Sequence, residues 1–142
     1  MLHDFVVHMR RYASDTASYD DFERQWFDTV VVPEYRVHDA KTVAAPGGAG
    51  WVTTAEIENV GTGRMPLEIA AVVGERFPSD TAKGKKAAKK VEPYQAVLET
   101  ITLGGKEKRS VTIRTSFKPE KVVVDPNVRV LQLRRQSAEA KL

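Results

Sequence analysis

The spacing of hydrophobic residues changes near residue 30, and this change constrains the fold more than any other feature of the chain. Before residue 30, apolar residues recur three and four positions apart, which is the period of an amphipathic helix. After it, β-branched residues occur in short runs bounded by Gly, Pro and Asn, which is typical of strands. The sequence therefore predicts a helical lead-in over residues 1–29 and an all-β domain after it.

The lead-in is predicted to form two short helices. The first presents one apolar stripe, made of Leu2, Phe5, Val6, Met9, Tyr12 and Ala13. Ser18, followed by Asp20 and Asp21, indicates an N-cap with acidic residues in the first turn of a second helix. That helix carries Phe22, Trp26 and Phe27 and should end before Pro33.

Seven strands are predicted after the lead-in. They are Val30–His38, Trp51–Val60, Leu67–Phe77, Tyr94–Leu103, Arg109–Phe117, Lys121–Val124 and Val128–Leu133. The fifth shows the clearest alternation, with Val111, Ile113 and Thr115 on one face and Thr112 and Arg114 on the other. One face of this strand should be buried and the other exposed to solvent.

Turn residues separate the predicted strands. Gly104 and Gly105 suit a tight hairpin that needs positive φ, and the run from Asp125 to Asn127 predicts another turn. Seven short strands without intervening helices favour an immunoglobulin- or fibronectin-like antiparallel β-sandwich over residues 30–135. Residues 136–142 are predicted to be a flexible tail.

Composition limits the classes of protein to which the chain can belong. The chain has 142 residues and no cysteine, which excludes disulfides and thiolate metal sites. No apolar run approaches the ~20 residues of a membrane helix, so we expect a soluble domain without direct membrane insertion. The net charge is +3, but five of the lysines lie between Lys83 and Lys90, and without them it would be negative. This run is typical of a solvated loop; a nucleic-acid or acidic-lipid patch is the alternative.

The sequence contains few candidates for catalysis or metal binding. His3 and His8 are five residues apart and would point about 140° apart on a helix, which does not favour a shared metal ion. Glu56 and Glu58 would share one strand face at a spacing of about 7 Å, which could place two carboxylates around a bond, but exposure to solvent is the simpler interpretation. Arg134 and Arg135 indicate a solvated strand exit, with phosphate binding as an alternative. No serine-nucleophile elbow or phosphate-binding loop occurs.

Several segments resemble one enzyme family. Residues 27–37, preceded by Gln25 and Trp26, resemble the junction after the catalytic region in bacterial zinc aminopeptidases of the alanyl-aminopeptidase (gluzincin) family. Residues 59–69, 117–126 and 130–135 look like the C-terminal end of such proteins. They are similar in particular to the branch that is fused to a transporter-permease-like membrane part. The family's His-Glu-x-x-His helix, downstream glutamate ligand and Gly-x-Met-Glu-Asn loop do not occur in this chain.

The resemblance implies a non-catalytic accessory domain that braces or shields an upstream catalytic region. Zinc would then belong to that region, with no cofactor in this chain, and the partner would be the upstream helical part of the parent protein. The candidate docking residues are Leu2, Phe5, Met9, Phe22 and Trp26. Left without its partner, such a stripe would stay partly exposed and favour self-association.

Two alternatives remain open from the sequence. An autonomous fibronectin-like binding or adhesion module would use its loops for contact and form a stable monomer. A nucleic-acid binder would use the run from Lys83 to Lys90, with an affinity that falls steeply with salt.

Overall fold

The computed structural model describes residues 1–76 and 93–142, which form two helices followed by seven strands. The helices are α1 (Leu2–Arg10) and α2 (Thr16–Trp26). The strands are β1 (Tyr35–Ala44), β2 (Trp51–Asn59), β3 (Met65–Val73), β4 (Gln95–Leu103), β5 (Lys108–Thr115), β6 (Lys121–Val124) and β7 (Glu139–Lys141). The predicted mainly-β fold with two leading helices is confirmed, while the run from Lys83 to Lys90 lies outside the described residues.

The strands form two antiparallel sheets that pack against each other. One has the order β1-β2-β5 and the other the order β4-β3-β6-β7. The core between them includes Tyr35 and Ile57 from the first sheet and Ile69 and Val124 from the second, all fully buried. In immunoglobulin lettering, β1 to β7 take the places of A, B, C, C′, E, F and G, so the predicted sandwich is confirmed.

Strand β5 follows the predicted alternation. Val111, Ile113 and Thr115 are buried, while Thr112 and Arg114 are exposed. The inward residues pack on the opposite sheet because successive side chains in a strand point to opposite faces.

The connection between β4 and β5 differs from the predicted hairpin. The two strands lie in different sheets, so the chain crosses from one layer to the other at this point. Positive φ occurs at Lys106 (φ 63°), not at Gly104 or Gly105. The Gly104 N–H donates to the Glu107 carboxylate at 2.7 Å, and this bond lowers the pKa of Glu107. The glycines therefore form an arch between sheets, and the hairpin prediction was wrong.

The start of α2 also differs from the prediction. The N-cap is Asp15, whose carboxylate accepts hydrogen bonds from the N–H groups of Ala17 and Ser18 and from the Ser18 hydroxyl. These bonds lower the pKa of Asp15, with the hydroxyl making the largest contribution. The prediction of Ser18 as the N-cap was wrong. The Asp15 carboxylate is charged and accepts stronger hydrogen bonds from the free N–H groups of the first turn than a serine hydroxyl would.

Strand β1 begins later than predicted. Residues 30–34 are extended but precede β1. They lie beside residues 60–62, where the Val60 N–H donates a hydrogen bond to Glu34 O (2.8 Å) and the Thr62 N–H donates one to Val32 O (3.0 Å). Pro33 has no N–H to donate, which interrupts regular pairing. Gly61 allows this close approach, since a Cβ there would lie 2.0 Å from the Val32 carbonyl oxygen.

The predicted strand Val128–Leu133 is absent among the described residues, where this stretch is a loop. Its backbone N–H groups donate hydrogen bonds to carboxylates. Asp125 accepts hydrogen bonds from the N–H groups of Arg129 (2.9 Å) and Val130 (3.0 Å). Glu34 accepts those of Leu133 (2.9 Å) and Arg134 (3.0 Å). These donors are therefore not available to a strand ladder, which explains why the alternating sequence did not form one.

The predicted flexible tail contains the last strand. A short 3₁₀ turn at Arg135–Ala138 leads into β7, which pairs with β6. Ala138 is buried in the core, and Leu142 N–H donates to Glu120 O at 2.9 Å. The segment predicted as the tail thus completes the second sheet.

Candidate docking surface

Helix α1 exposes most of its apolar stripe. Val6 is its one buried residue, whereas Leu2, Phe5 and Met9 are exposed. Leu2, Phe5, Val6 and Met9 recur at helical spacing, so one stripe contains both the buried and the exposed apolar positions. The structure therefore uses one of the four residues in its own packing and leaves three in solvent.

Polar bonds hold α1 against α2. The Arg10 guanidinium donates two hydrogen bonds to the Asp20 carboxylate, at 2.6 and 2.8 Å. This pairing lowers the pKa of Asp20 and raises the pKa of Arg10, in each case mainly through the hydrogen bond. The Tyr19 hydroxyl donates to the Val6 carbonyl at 3.0 Å. Val6 is the one residue of α1 that becomes buried, and Leu2, Phe5 and Met9 remain exposed beside these polar bonds.

Helix α2 adds aromatic side chains to the exposed set. None of its eleven residues, all of them described, is buried. Phe22 lies edge-on to Phe27, with ring centroids 6.0 Å apart, and 6.4 Å from the ring of Tyr19. Phe22 and Trp26 are one turn apart and both are exposed.

We call the five residues Leu2, Phe5, Met9, Phe22 and Trp26 the helical face. Their exposed fractions range from 36% at Trp26 to 59% at Leu2. The structure places all five at the surface, where the sequence predicted a docking stripe. The contacts among residues 1–76 and 93–142 leave more than a third of each of the five residues exposed.

The end of α2 adjoins the sandwich. The Gln25 side-chain oxygen accepts the Arg64 N–H, and the Thr29 hydroxyl donates to the Gln25 carbonyl at 2.8 Å. Trp26 lines a cavity of about 340 Å³ between the helix end and the sandwich. Its other lining residues are Val31, Val32, Pro33, Met65, Arg129, Val130, Leu131 and Leu133. Apolar surface therefore continues from Trp26 onto one end of the sandwich.

Glu56 and Glu58 share the outer face of the first sheet, as predicted. His38 Nε2 lies 2.8 Å from a Glu58 carboxylate oxygen, and Lys108 Nζ lies 3.2 Å from Glu56 and 3.9 Å from Glu58. The two carboxylates raise the pKa of Lys108, with smaller support from Asp39. Both glutamates are thus paired with cations in a half-exposed charge network.

The two histidines of α1 take no part in the charge network of Glu56 and Glu58. The ring of His8 is 5.4 Å from that of Tyr12, while His3 is exposed. Within residues 1–76 and 93–142, no group of three or more His, Asp or Glu side chains is arranged to hold a metal ion. The same described residues contain no helix long and apolar enough to cross a membrane.

Sequence reasoning missed the role of Asp125 and Arg135. Asp125 is buried with φ of 51°, and Arg135 donates to its carboxylate at 3.2 Å and to its carbonyl. The Asp-Pro-Asn sequence indicated a turn, but no local signal showed that the carboxylate would face inward. Arg135, which is itself partly exposed, therefore forms an ion pair with a buried carboxylate instead of a solvated strand exit.

Comparisons with protein-family models, with curated proteins and with solved structures found no match. The resemblance to zinc aminopeptidases therefore stays a prediction based on the sequence.

Proposed function

We propose that this chain is a non-catalytic accessory domain that docks onto another protein region through the helical face. The observation that carries this proposal is the exposure of five large apolar side chains on two helices that hold each other by polar bonds. Folding alone gives no reason to leave these side chains in water, because burying apolar surface is the main favourable term in folding. A partner surface supplies that reason.

The size of the exposed surface supports a protein partner. A fully exposed aromatic side chain offers roughly 150–250 Å². At the exposed fractions of Phe5, Phe22 and Trp26, and with Leu2 and Met9 added, the helical face offers on the order of 400 Å². The largest apolar patch on a typical monomer measures roughly 300–600 Å² and is often functional, and the summed area of the helical face falls in this range.

The proposed partner is the upstream catalytic region of a zinc aminopeptidase. The resemblance described above places the two helices at the end of the parent's helical region, where an apolar stripe would pack against the helices before it. Zinc and the catalytic residues would then belong to the upstream region, and this chain would brace that region or shield access to it.

The test is calorimetric titration of the chain with the separately expressed upstream region of the same gene. We expect saturable binding by the native chain and loss of binding in a Phe5→Asp, Trp26→Ala variant. Val43→Asp is the matched control, because Val43 is also an exposed apolar residue but lies on β1. Absence of binding by the native chain, or equal loss in the control, would contradict the proposal.

One observation favours an autonomous binding module as a second candidate. The main core cluster contains no residue of α1 or α2, so the sandwich encloses its core without the helices. A stable monomer at high concentration, with no affinity for the upstream region, would support this candidate. Sedimentation of the chain alone provides the measurement.

A further inference from the structure

We propose that a groove at the end of the sandwich binds an extended acidic peptide segment in which an apolar residue lies between carboxylates. The groove has a volume of about 400 Å³ and shares Val32 and Leu133 with the Trp26 cavity. Val30, Val32 and Leu133 supply its apolar wall, and Arg36 and Arg134 are its cationic residues. It is separate from the helical face, and the inference does not depend on the docking function.

The two arginines have no side-chain partner in the part of the chain that the structure describes. Among the described residues, neither the Arg36 nor the Arg134 guanidinium has a hydrogen-bond or ion-pair partner, and both residues are exposed. Planar guanidinium groups bind carboxylates through two parallel hydrogen bonds, so an acidic ligand would pair with them directly.

The nearby carboxylates are already engaged. Glu34 lies in the groove, but its two oxygens accept the N–H groups of Leu133 and Arg134. Glu58 lies opposite Arg36 in the strand ladder, but it is held by His38 at 2.8 Å and lies 3.9 Å from Lys108. The groove therefore has two cations available for an external anion.

The apolar wall of the groove is open to solvent. Val30 and Leu133 are 88% and 79% exposed, which is unusual for residues of this type. Val30 and Val32 are two positions apart in an extended segment, so they lie on the same side of it. A ligand that covers them needs an apolar side chain as well as negative charge.

A peptide fits this lining better than a nucleic acid does. Single-stranded nucleic acids bind through base stacking on aromatic side chains, and the residues that line the groove include none. In an extended peptide, side chains two positions apart point to the same side. An apolar residue can therefore lie on the wall while acidic residues two positions before and after it lie near Arg36 and Arg134.

The probe is a fluorescently labelled, end-blocked peptide that repeats Glu-Ser-Leu-Ser, and its anisotropy is measured with the full chain. We expect saturable binding that weakens about tenfold in an Arg36→Gln, Arg134→Gln variant, which corresponds to the loss of two charge pairs at the surface. Leu133→Ser should weaken binding as well. The same peptide with lysine in place of glutamate, or with serine in place of leucine, should bind poorly.

Matched controls separate this site from others. Arg114→Gln removes an exposed arginine from β5, and Leu131→Ser removes an exposed leucine of the Trp26 cavity; both should retain binding. Phe5→Asp should also retain it, because the helical face is a different site.

Three results would overturn the proposal. They are no saturable binding by the native chain, equal weakening in a control variant, and displacement of the peptide by an oligothymidine competitor. Loss of docking to the upstream region would leave the peptide result unchanged, so failure of one proposal is distinguishable from failure of the other.

Discussion

At the scale of single residues, Tyr35 combines complete burial with a hydroxyl that has no hydrogen-bond partner among the described residues. Burial, together with the charge of Asp125, raises its pKa to about 12. A buried hydroxyl without a partner costs free energy, while its ring still contributes to the core. Tyr35 therefore stabilises the sandwich less than a phenylalanine of the same shape would.

We predict that Tyr35→Phe raises the free energy of unfolding at neutral pH by about 1 kcal/mol. Denaturant unfolding followed by circular dichroism measures the change. The native chain is the reference for this comparison. A Phe117→Tyr variant would not serve as a control, because Phe117 lies outside the main core cluster and adding a hydroxyl there would not test burial. A loss of stability in Tyr35→Phe would show that the hydroxyl is bonded in solution.

The same residue makes stability depend on alkaline pH. The tyrosine pKa is higher in the folded state than its ordinary value of about 10, so the folded state keeps a proton that the unfolded state loses. This contribution is complete below about pH 10 and is lost as the pH rises towards about 12. Tyr35→Phe should therefore lose less stability than the native chain over this range.

Asp125 shows the opposite case, a buried group whose bonds are satisfied. Its carboxylate accepts two backbone N–H groups and the Arg135 guanidinium. We predict that Asp125→Asn lowers the free energy of unfolding by about 2 kcal/mol, because an amide cannot accept all of these bonds. Asp28→Asn is the matched control, since Asp28 is exposed. Equal melting temperatures for the two variants would show that the loop does not depend on this carboxylate.

At the scale of secondary-structure elements, the Arg10–Asp20 pair fixes α1 on α2. The pKa of Asp20 is lowered in the folded state, so the pair stabilises the helix contact above the ordinary carboxyl pKa of about 3.9, and this support is lost as the pH falls through the lower value. We predict faster amide hydrogen exchange in α1 for Asp20→Asn at neutral pH. Asp21→Asn is the control, because Asp21 pairs with Arg24 within α2. Equal exchange in the two variants would contradict the assignment.

The extended segment at residues 30–34 depends on the absence of a side chain at Gly61. A Cβ at that position would lie 2.0 Å from Val32 O and 2.7 Å from Glu34 N. We predict that Gly61→Ala lowers the free energy of unfolding by about 1–3 kcal/mol, because the backbone must move apart. Gly104→Ala is milder, since its nearest contact is a carboxylate oxygen at 3.3 Å that can move. Thermal unfolding of both variants tests the difference, and an equal loss would contradict it.

Local alternation predicted β2 to β6 within a few residues, because one buried face leaves a pattern along the chain itself. The strand predicted at Val128–Leu133 was wrong, because the carboxylates of Asp125 and Glu34 accept hydrogen bonds from backbone N–H groups in this segment. Glu34 is distant in sequence from the amides it binds, so no local pattern indicates the contact. Arg36 and Arg134 are also distant in sequence. No local pattern therefore indicates that both line the same groove.

At the scale of the whole molecule, the sandwich and the helical pair bury their apolar residues separately. The core cluster is made by the strands and the C-terminal loop, while α1 contributes Val6 to the helix contact. The stripe of α1 was predictable from spacing. Which of its residues remain exposed was not predictable, since that depends on how α2 packs.

We predict that the chain without residues 1–29 still folds. Its melting temperature should change by less than about 5 °C, equivalent to about 1 kcal/mol, because the helices contribute no residue to the main core. It should also bind less of an apolar dye such as ANS, since the helical face is gone. Calorimetry and dye fluorescence provide the two measurements. An unfolded product would show that the helices brace the sandwich.

The arch between β4 and β5 has a consequence for the order in which the chain can acquire its structure on the ribosome. The first sheet is incomplete until β5 emerges, after the whole β3–β4 pair, and the second sheet is incomplete until β6 and β7 follow. Neither layer can close early and act as a template for the other. The nascent chain therefore exposes unpaired strands until β7 has been synthesised, and its folding is expected to be slow and cooperative.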